Sequence, residues 1–130
     1  PDEMSSVLDC SDFAIHASPV RHVIPNIGLR VQFKPSNQTI VYSCDTEPCD
    51  EVVRLSAGAD VLIHEATGEF IGHSSAKQAG EIARKAEVGR LYLIHYATGK
   101  YAKGDLVAEA RATFPGDVAL AKDFLTLDFS

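Results

Sequence analysis

Three short apolar stretches of this 130-residue chain each run into side chains that could do chemistry. TIVYSC is followed by Asp45, DVLI by His64 and Glu65, and RLYLI by His95. If each stretch is a strand of one open α/β sheet, its end delivers an ionisable group to a shared crevice, where such sheets place their sites. Histidines also stand at positions 16, 22 and 73, spread so widely that only folding could gather them. Neutral imidazole and carboxylate are the usual protein ligands of catalytic zinc. Each residue has a plainer local reading as well. A histidine at a strand end commonly serves as a hydrogen-bonded structural group, and Asp45, directly before Thr46-Glu47, is placed to cap a helix. Spacing alone leaves both readings open.

The elements that must position these residues can be read from periodicity and punctuation. Residues 7–20 read as extended, with Phe13, Ile15 and Ala17 alternating against polar neighbours. Pro19 and Pro25 bracket His22 and forbid a helix there. Residues 29–33 and 39–43 read as a β-hairpin across the Pro35-Ser-Asn turn. After Asp45 the signals become helical, with Thr46, Glu47 and Pro48 suited to a start and Ala57-Gly58 to an end. Residues 60–64 form a short buried strand. Ser75-x-x-Gln78 is a capping box, opening a helix to about Glu87 that puts Ala79, Ile82, Ala83 and Ala86 on one face. A strand over 90–95, an amphipathic helix over about 103–114 stopped by Pro115-Gly116, and a bent strand or hairpin over 118–129 complete the chain. The order β-β-β-α-β-α-β-α-β indicates an α/β sheet with helices on one face.

Composition sets the outer bounds. Hydrophobic residues at 45% and charged residues at 23% are ordinary for a globular domain. A formal charge of −6 gives no global basic field for nucleic acid or anionic lipid, so an anionic substrate needs local cations. No apolar run approaches the length of a membrane span. Three cysteines, odd in number and without a CxxC pair, argue against a disulfide framework and for a reducing compartment, the cytoplasm. The chain begins Pro-Asp-Glu and is expected to be part of a longer polypeptide.

Taken in order, SPVRHVIPNIGLRVQF, VYSCDT, ADVLIHEA, GHSSAKQAGEIARKA and LYLIHYATGKY resemble the C-terminal half of the metallo-β-lactamase superfamily. The likeness is closest to the ribonuclease Z and phosphodiesterase-like branch, and it runs from about Phe13 to Phe129. It implies that residues 1–130 are one segment, the C-terminal half of an αββα sandwich, with helices on the outer face of its sheet. It implies two divalent metal ions, zinc first, with manganese or iron also compatible. His22 and His95 match terminal ligands, one for each ion, and Asp45 matches the carboxylate that bridges them. His73 matches the histidine that contacts the scissile phosphate and helps protonate the leaving oxygen, and Glu65 the acid that orients it. The implied activity is phosphodiester hydrolysis by a two-metal-activated hydroxide. Hydrolysis of another ester, thioester, lactone or sulfate ester is the alternative on the same scaffold.

The family's N-terminal HxHxDH motif has no counterpart here, which leaves each ion short of the usual three or four protein ligands. The segment alone is therefore expected to be inactive, and a non-catalytic structural or interaction half needing complementation is the non-enzyme alternative. The absent half, on the same or an associated chain, would also cover an otherwise exposed apolar sheet face. A phosphate ester or similar anionic molecule is the expected substrate, and tRNA stays open. Some ribonuclease Z enzymes carry a tRNA-gripping arm between the His22 and Asp45 positions, and the short spacing here leaves no room for one. The family's frequent dimers suggest a homodimer. Cys44 stands where the family usually has glycine, as a small space-filling residue or as a thiol that joins the metal site.

Overall fold

The computed structural model describes residues 4–128. Among these residues seven strands form one sheet in chain order: β1 (Ser5–Asp9), β2 (Phe13–Val20), β3 (Asn26–Phe33), β4 (Gln38–Tyr42), β5 (Val61–Glu65), β6 (Arg90–Ile94) and β7 (Asp117–Leu120). The first four pair antiparallel and β4 to β7 pair parallel. Each parallel connection carries a helix: α1 (Asp50–Ser56), α2 (Ala76–Ala86) and α3 (Leu106–Arg111). The expected α/β sheet is present.

The differences from expectation have local causes. Residues 7–20 form two strands, because a turn at Cys10–Asp12 reverses the chain with Cys10 N–H bonded to the Phe13 carbonyl at 3.0 Å. Helix α1 begins later than the Thr46-Glu47-Pro48 signal, with Cys49 at its N-cap, so Asp45 caps nothing. Asp50 and Glu51 instead favour its first turn through the helix dipole. At its other end, Arg30 of β3 donates to the carbonyls of Leu55 and Ala57 at 2.7 and 3.0 Å. Helix α3 is shorter than residues 103–114, because Asp105 caps it by accepting from Ala108 N–H at 3.1 Å. Beyond Leu120 the chain leaves the sheet, so the bent strand or hairpin expected over 118–129 is only its first few residues, and Phe129 lies outside the described residues.

Helix α2 follows its signals closely. Ser75 and Gln78 make both bonds of the capping box, and Ala79, Ile82, Ala83 and Ala86 are buried. They join a core built on one sheet face, where the register aligns Val41, Leu62, Leu91 and Val118 across four strands. The opposite face is apolar too. There the register aligns Ala17, Leu29, Tyr42, Ile63, Tyr92 and Ala119 across six strands. No helix in the described residues covers this second row. At one corner, Val61 and Tyr92 share a hollow with Thr126 and Leu127 of the C-terminal tail.

Candidate metal centre

Parallel strands β4, β5 and β6 all end at the same rim, and each hands over one part of the site. After β4 the chain turns through Cys44, which holds a left-handed φ of 53°, and Asp45 follows. His95, directly after β6, is also left-handed at φ 55°. These two kinks bring the side chains together, with His95 Nδ1 2.9 Å from Asp45 Oδ1. The Thr67 hydroxyl lies 3.1 Å from the same nitrogen and donates to the His95 carbonyl at 2.9 Å. With Nδ1 so engaged, the ring's Nε2 is left for other use.

Glu65 ends β5 with 1% exposure, and a carboxylate so buried must be fully hydrogen-bonded to be tolerated. Its Oε1 accepts from Thr46 N–H and from His73 Nδ1, each at 2.9 Å, and its Oε2 accepts from Thr67 N–H at 3.0 Å. One carboxylate thereby ties together the loop carrying Asp45, the turn carrying His73 and the threonine that supports His95. Thr46 is itself buried, taking a bond from Arg21 N–H on its hydroxyl and from the Ser74 hydroxyl on its carbonyl. Asn26 holds the Asp45 carbonyl at 3.0 Å.

His22 arrives from the far side, in the proline-bracketed segment after β2. Its Nδ1 lies 2.7 Å from the Gly72 carbonyl, which can only accept, so the proton sits on Nδ1 and the Nε2 lone pair is free. Gly72 has φ 83°, and a Cβ there would come within 2.8 Å of that nitrogen, so glycine is what lets the two segments meet. The rings of His22 and His73 are 5.0 Å apart, and those of His73 and His95 6.0 Å.

All five expected site residues thus gather at one rim. The grouping differs in one respect from the expectation. Donor atoms of His22, Asp45 and His73 lie within 4.8 Å of one another, so His73, expected to face substrate, stands as near to Asp45 and His22 as a ligand would. His22 and His73 both fit a metal in their chemistry, because each has Nδ1 tied to a carbonyl or carboxylate, the arrangement that fixes Nε2 as the ligating atom. Three imidazoles and one carboxylate are nonetheless too few for two ions.

Thr46, Thr67 and Gly72 carry much of this geometry and gave no signal in the sequence beyond adjacency to the motifs. The two remaining histidines stand apart. His64 is fully buried on the helix-covered face, in register with Leu93, with Nδ1 2.8 Å from the Glu65 carbonyl and Nε2 without a partner. Burial lowers its pKa below the ordinary histidine value. His16 pairs with Ser6 and Arg30 in the sheet, away from the site. The Cys44 thiol is pushed up by burial and by the neighbouring Asp45 carboxylate, which keeps it a thiol.

Known proteins match this chain in both sequence and shape. The profile of the Beta-lactamase superfamily domain matches residues 3–96. A ribonuclease Z of Methanothermobacter thermautotrophicus is 41% identical over 98 residues, covering 68% of this chain and 31% of the relative. A ribonuclease Z of Thermoplasma acidophilum is 45% identical over 84 residues, covering 58% and 27%. Among solved structures, the metallo-beta-lactamase fold protein YhfI from Bacillus subtilis superposes with a TM-score of 0.78 at 29% identity, over 94% of this chain and 51% of its own. The short form of human tRNase Z superposes at 0.75 with 26% identity, over 99% and 48%. The chain therefore spans about a third of the curated relatives it matches and about half of these solved chains. Motif order, sheet topology and these matches agree: the chain belongs to the beta-lactamase superfamily domain family, on its ribonuclease Z-like side.

Proposed function

We propose that this chain supplies one side of the active centre of a metal-dependent phosphodiester hydrolase of the ribonuclease Z type. The observation that carries the reading is the bond from half-buried His73 to buried Glu65, set against the cluster of His22, Asp45 and His95. In this reading His22, Asp45 and His95 would hold divalent metal ions, and zinc suits an imidazole–carboxylate set best. The remaining ligands come from an N-terminal half, on the same polypeptide or an associated chain, which also covers the apolar open face. Bound ions would supply Lewis-acid polarisation of the phosphate and a water acidic enough to react near neutral pH.

The chain's own residues do the rest. Glu65 fixes the His73 ring by holding Nδ1–H, so Nε2 faces the reacting phosphate. From there His73, when Nε2 also carries a proton, donates it to a phosphoryl oxygen and then passes it to the leaving oxygen, which returns the ring to its neutral form with Nδ1–H on Glu65. Because the Glu65 oxygens also hold the amides of Thr46 and Thr67, the proton donor and the metal-holding loops keep one geometry. Names of the relatives favour an RNA diester, and the pair of acid and histidine gives the other ester chemistries no comparable support. Three unpaired thiols suit a reducing compartment such as the cytoplasm.

Metal analysis and diesterase assay of the full-length protein test this reading. Asp45→Ala should lose both metal and activity. His73→Ala should keep the metal and lower turnover by roughly 10²–10⁴-fold, the usual size of an acid–base contribution. A full-length protein that hydrolyses diesters without metal would overturn the centre, and metal lost equally from His73→Ala would make His73 a ligand instead.

A further inference from the structure

Beside the proposed centre, the loops after β5 and β6 enclose a cleft of about 540 Å³ that the residues discussed so far do not fill. Thr67 belongs to both: its hydroxyl bonds His95, and it lines the cleft. Two large aromatic side chains border the space, Phe70 at 63% exposure and Tyr101 at 66%. Rings of this size gain most when a partner covers them.

Each ring has a defined neighbour. The Phe70 carbonyl accepts His73 N–H at 3.0 Å, so the turn that sets His73 also sets Phe70. Its ring lies on Gly68, where φ is 141° and a Cβ would come within 2.5 Å of the ring. Tyr101 sits in a short 3-10 turn, with the Lys100 ammonium 5.0 Å from its ring centroid, a cation–π contact. Two exposed aromatic surfaces therefore border one cleft, and Phe70 shares a turn with the histidine proposed to face phosphate.

The charged lining is balanced, with Lys77 and Lys103 against Glu69 and Glu109. Such a cleft does not select a second phosphate. Its ammonium groups only donate and its carboxylates only accept, which suits a planar, uncharged group carrying both acceptors and donors on its edge. Nucleobases have that edge and a π-face that stacks on aromatic side chains. We propose that this cleft binds the base of the nucleotide adjoining the scissile phosphate, by stacking on Phe70 and Tyr101. The proposal rests on the phosphodiesterase reading above and adds a base-recognition subsite to it.

The test compares AMP with ribose 5-phosphate, which share sugar and phosphate and differ in the base, by calorimetric titration of the metal-loaded full-length protein. AMP should bind about tenfold more tightly, the scale of one stacked base. Phe70→Ala and Tyr101→Ala should bring the two ligands toward parity with ribose 5-phosphate affinity unchanged, while Phe70→Tyr and Tyr101→Phe keep the preference. Parity in the wild-type protein, or alanine variants that retain the preference, would overturn the subsite. So would alanine variants that lower thermal stability while leaving AMP binding intact, since the rings would then be packing surface. A protein that prefers AMP through these rings yet hydrolyses no diester would leave the subsite standing and overturn only the hydrolase reading.

Discussion

On one face of the sheet Val41, Leu62, Leu91 and Leu93 lie beneath three helices and are closed to solvent. On the other, Leu8, Ile27, Phe33 and Tyr42 remain 37–48% exposed although each has an apolar neighbour in register, Ile15, Pro19, Phe13 and Leu29 in turn. An antiparallel sheet with one wet face alternates apolar with polar residues along each strand. Strands β4, β5 and β6 instead carry apolar side chains on both faces, the pattern of a sheet covered twice. The same alternation divides the site. His64 points into the helix-covered core and has no part in the centre, whereas Glu65, one residue on, points to the other side and organises it.

The contrast can be broken or sharpened by experiment. Leu91→Ala, in the helix-covered core, should cost the most, about 2–5 kcal/mol in urea unfolding; a loss below about 1 kcal/mol would mean that this face does not carry the stability. Tyr42→Ala, on the open face, should cost less than about 1 kcal/mol in the 130-residue chain, as a partly exposed side chain does, but at least about 2 kcal/mol in the full-length protein. Equal small losses in both would show that nothing covers that face. The finest test uses His64. Its pKa is lowered in the folded state by burial, so the unfolded chain takes up a proton that the folded chain refuses. Stability should therefore be full above the ordinary value of 6.5 and fall as the pH drops below it toward the folded pKa, by at most about 1.4 kcal/mol per pH unit. His64→Gln should flatten that slope between pH 6.5 and 5, and an unchanged slope would place the titrating group elsewhere.

Much of this architecture was legible in the chain. Strands β5 and β6 announce themselves as short apolar runs, and α2 by a capping box whose two bonds both form. The turn between β1 and β2 was hidden because Cys10-Ser11-Asp12 carries no glycine or proline to mark it. Asp45 looked like a cap because a carboxylate before Thr-Glu fits that role locally; only the left-handed turn at Cys44 and the partnership with His95 place it at the rim instead. Motif order singled out His22, Asp45, Glu65, His73 and His95, which the fold gathers at one rim. It could not give the contacts of Thr46, Thr67 and Gly72, which act through backbone groups and a hydroxyl shared across loops far apart in sequence. Nor could it show how near His73 would stand to Asp45, which depends on where the turn after β5 brings the ring.

The sheet's strand order has a kinetic consequence. Among the described residues each strand from β2 to β7 pairs with its immediate predecessor along the chain, so none of these hairpins or crossovers has to thread past an element already in place. Each addition closes only the loop just made, which keeps the entropic cost of every step low. The sheet can grow in the order in which the chain leaves the ribosome, from the β1 edge to the β7 edge.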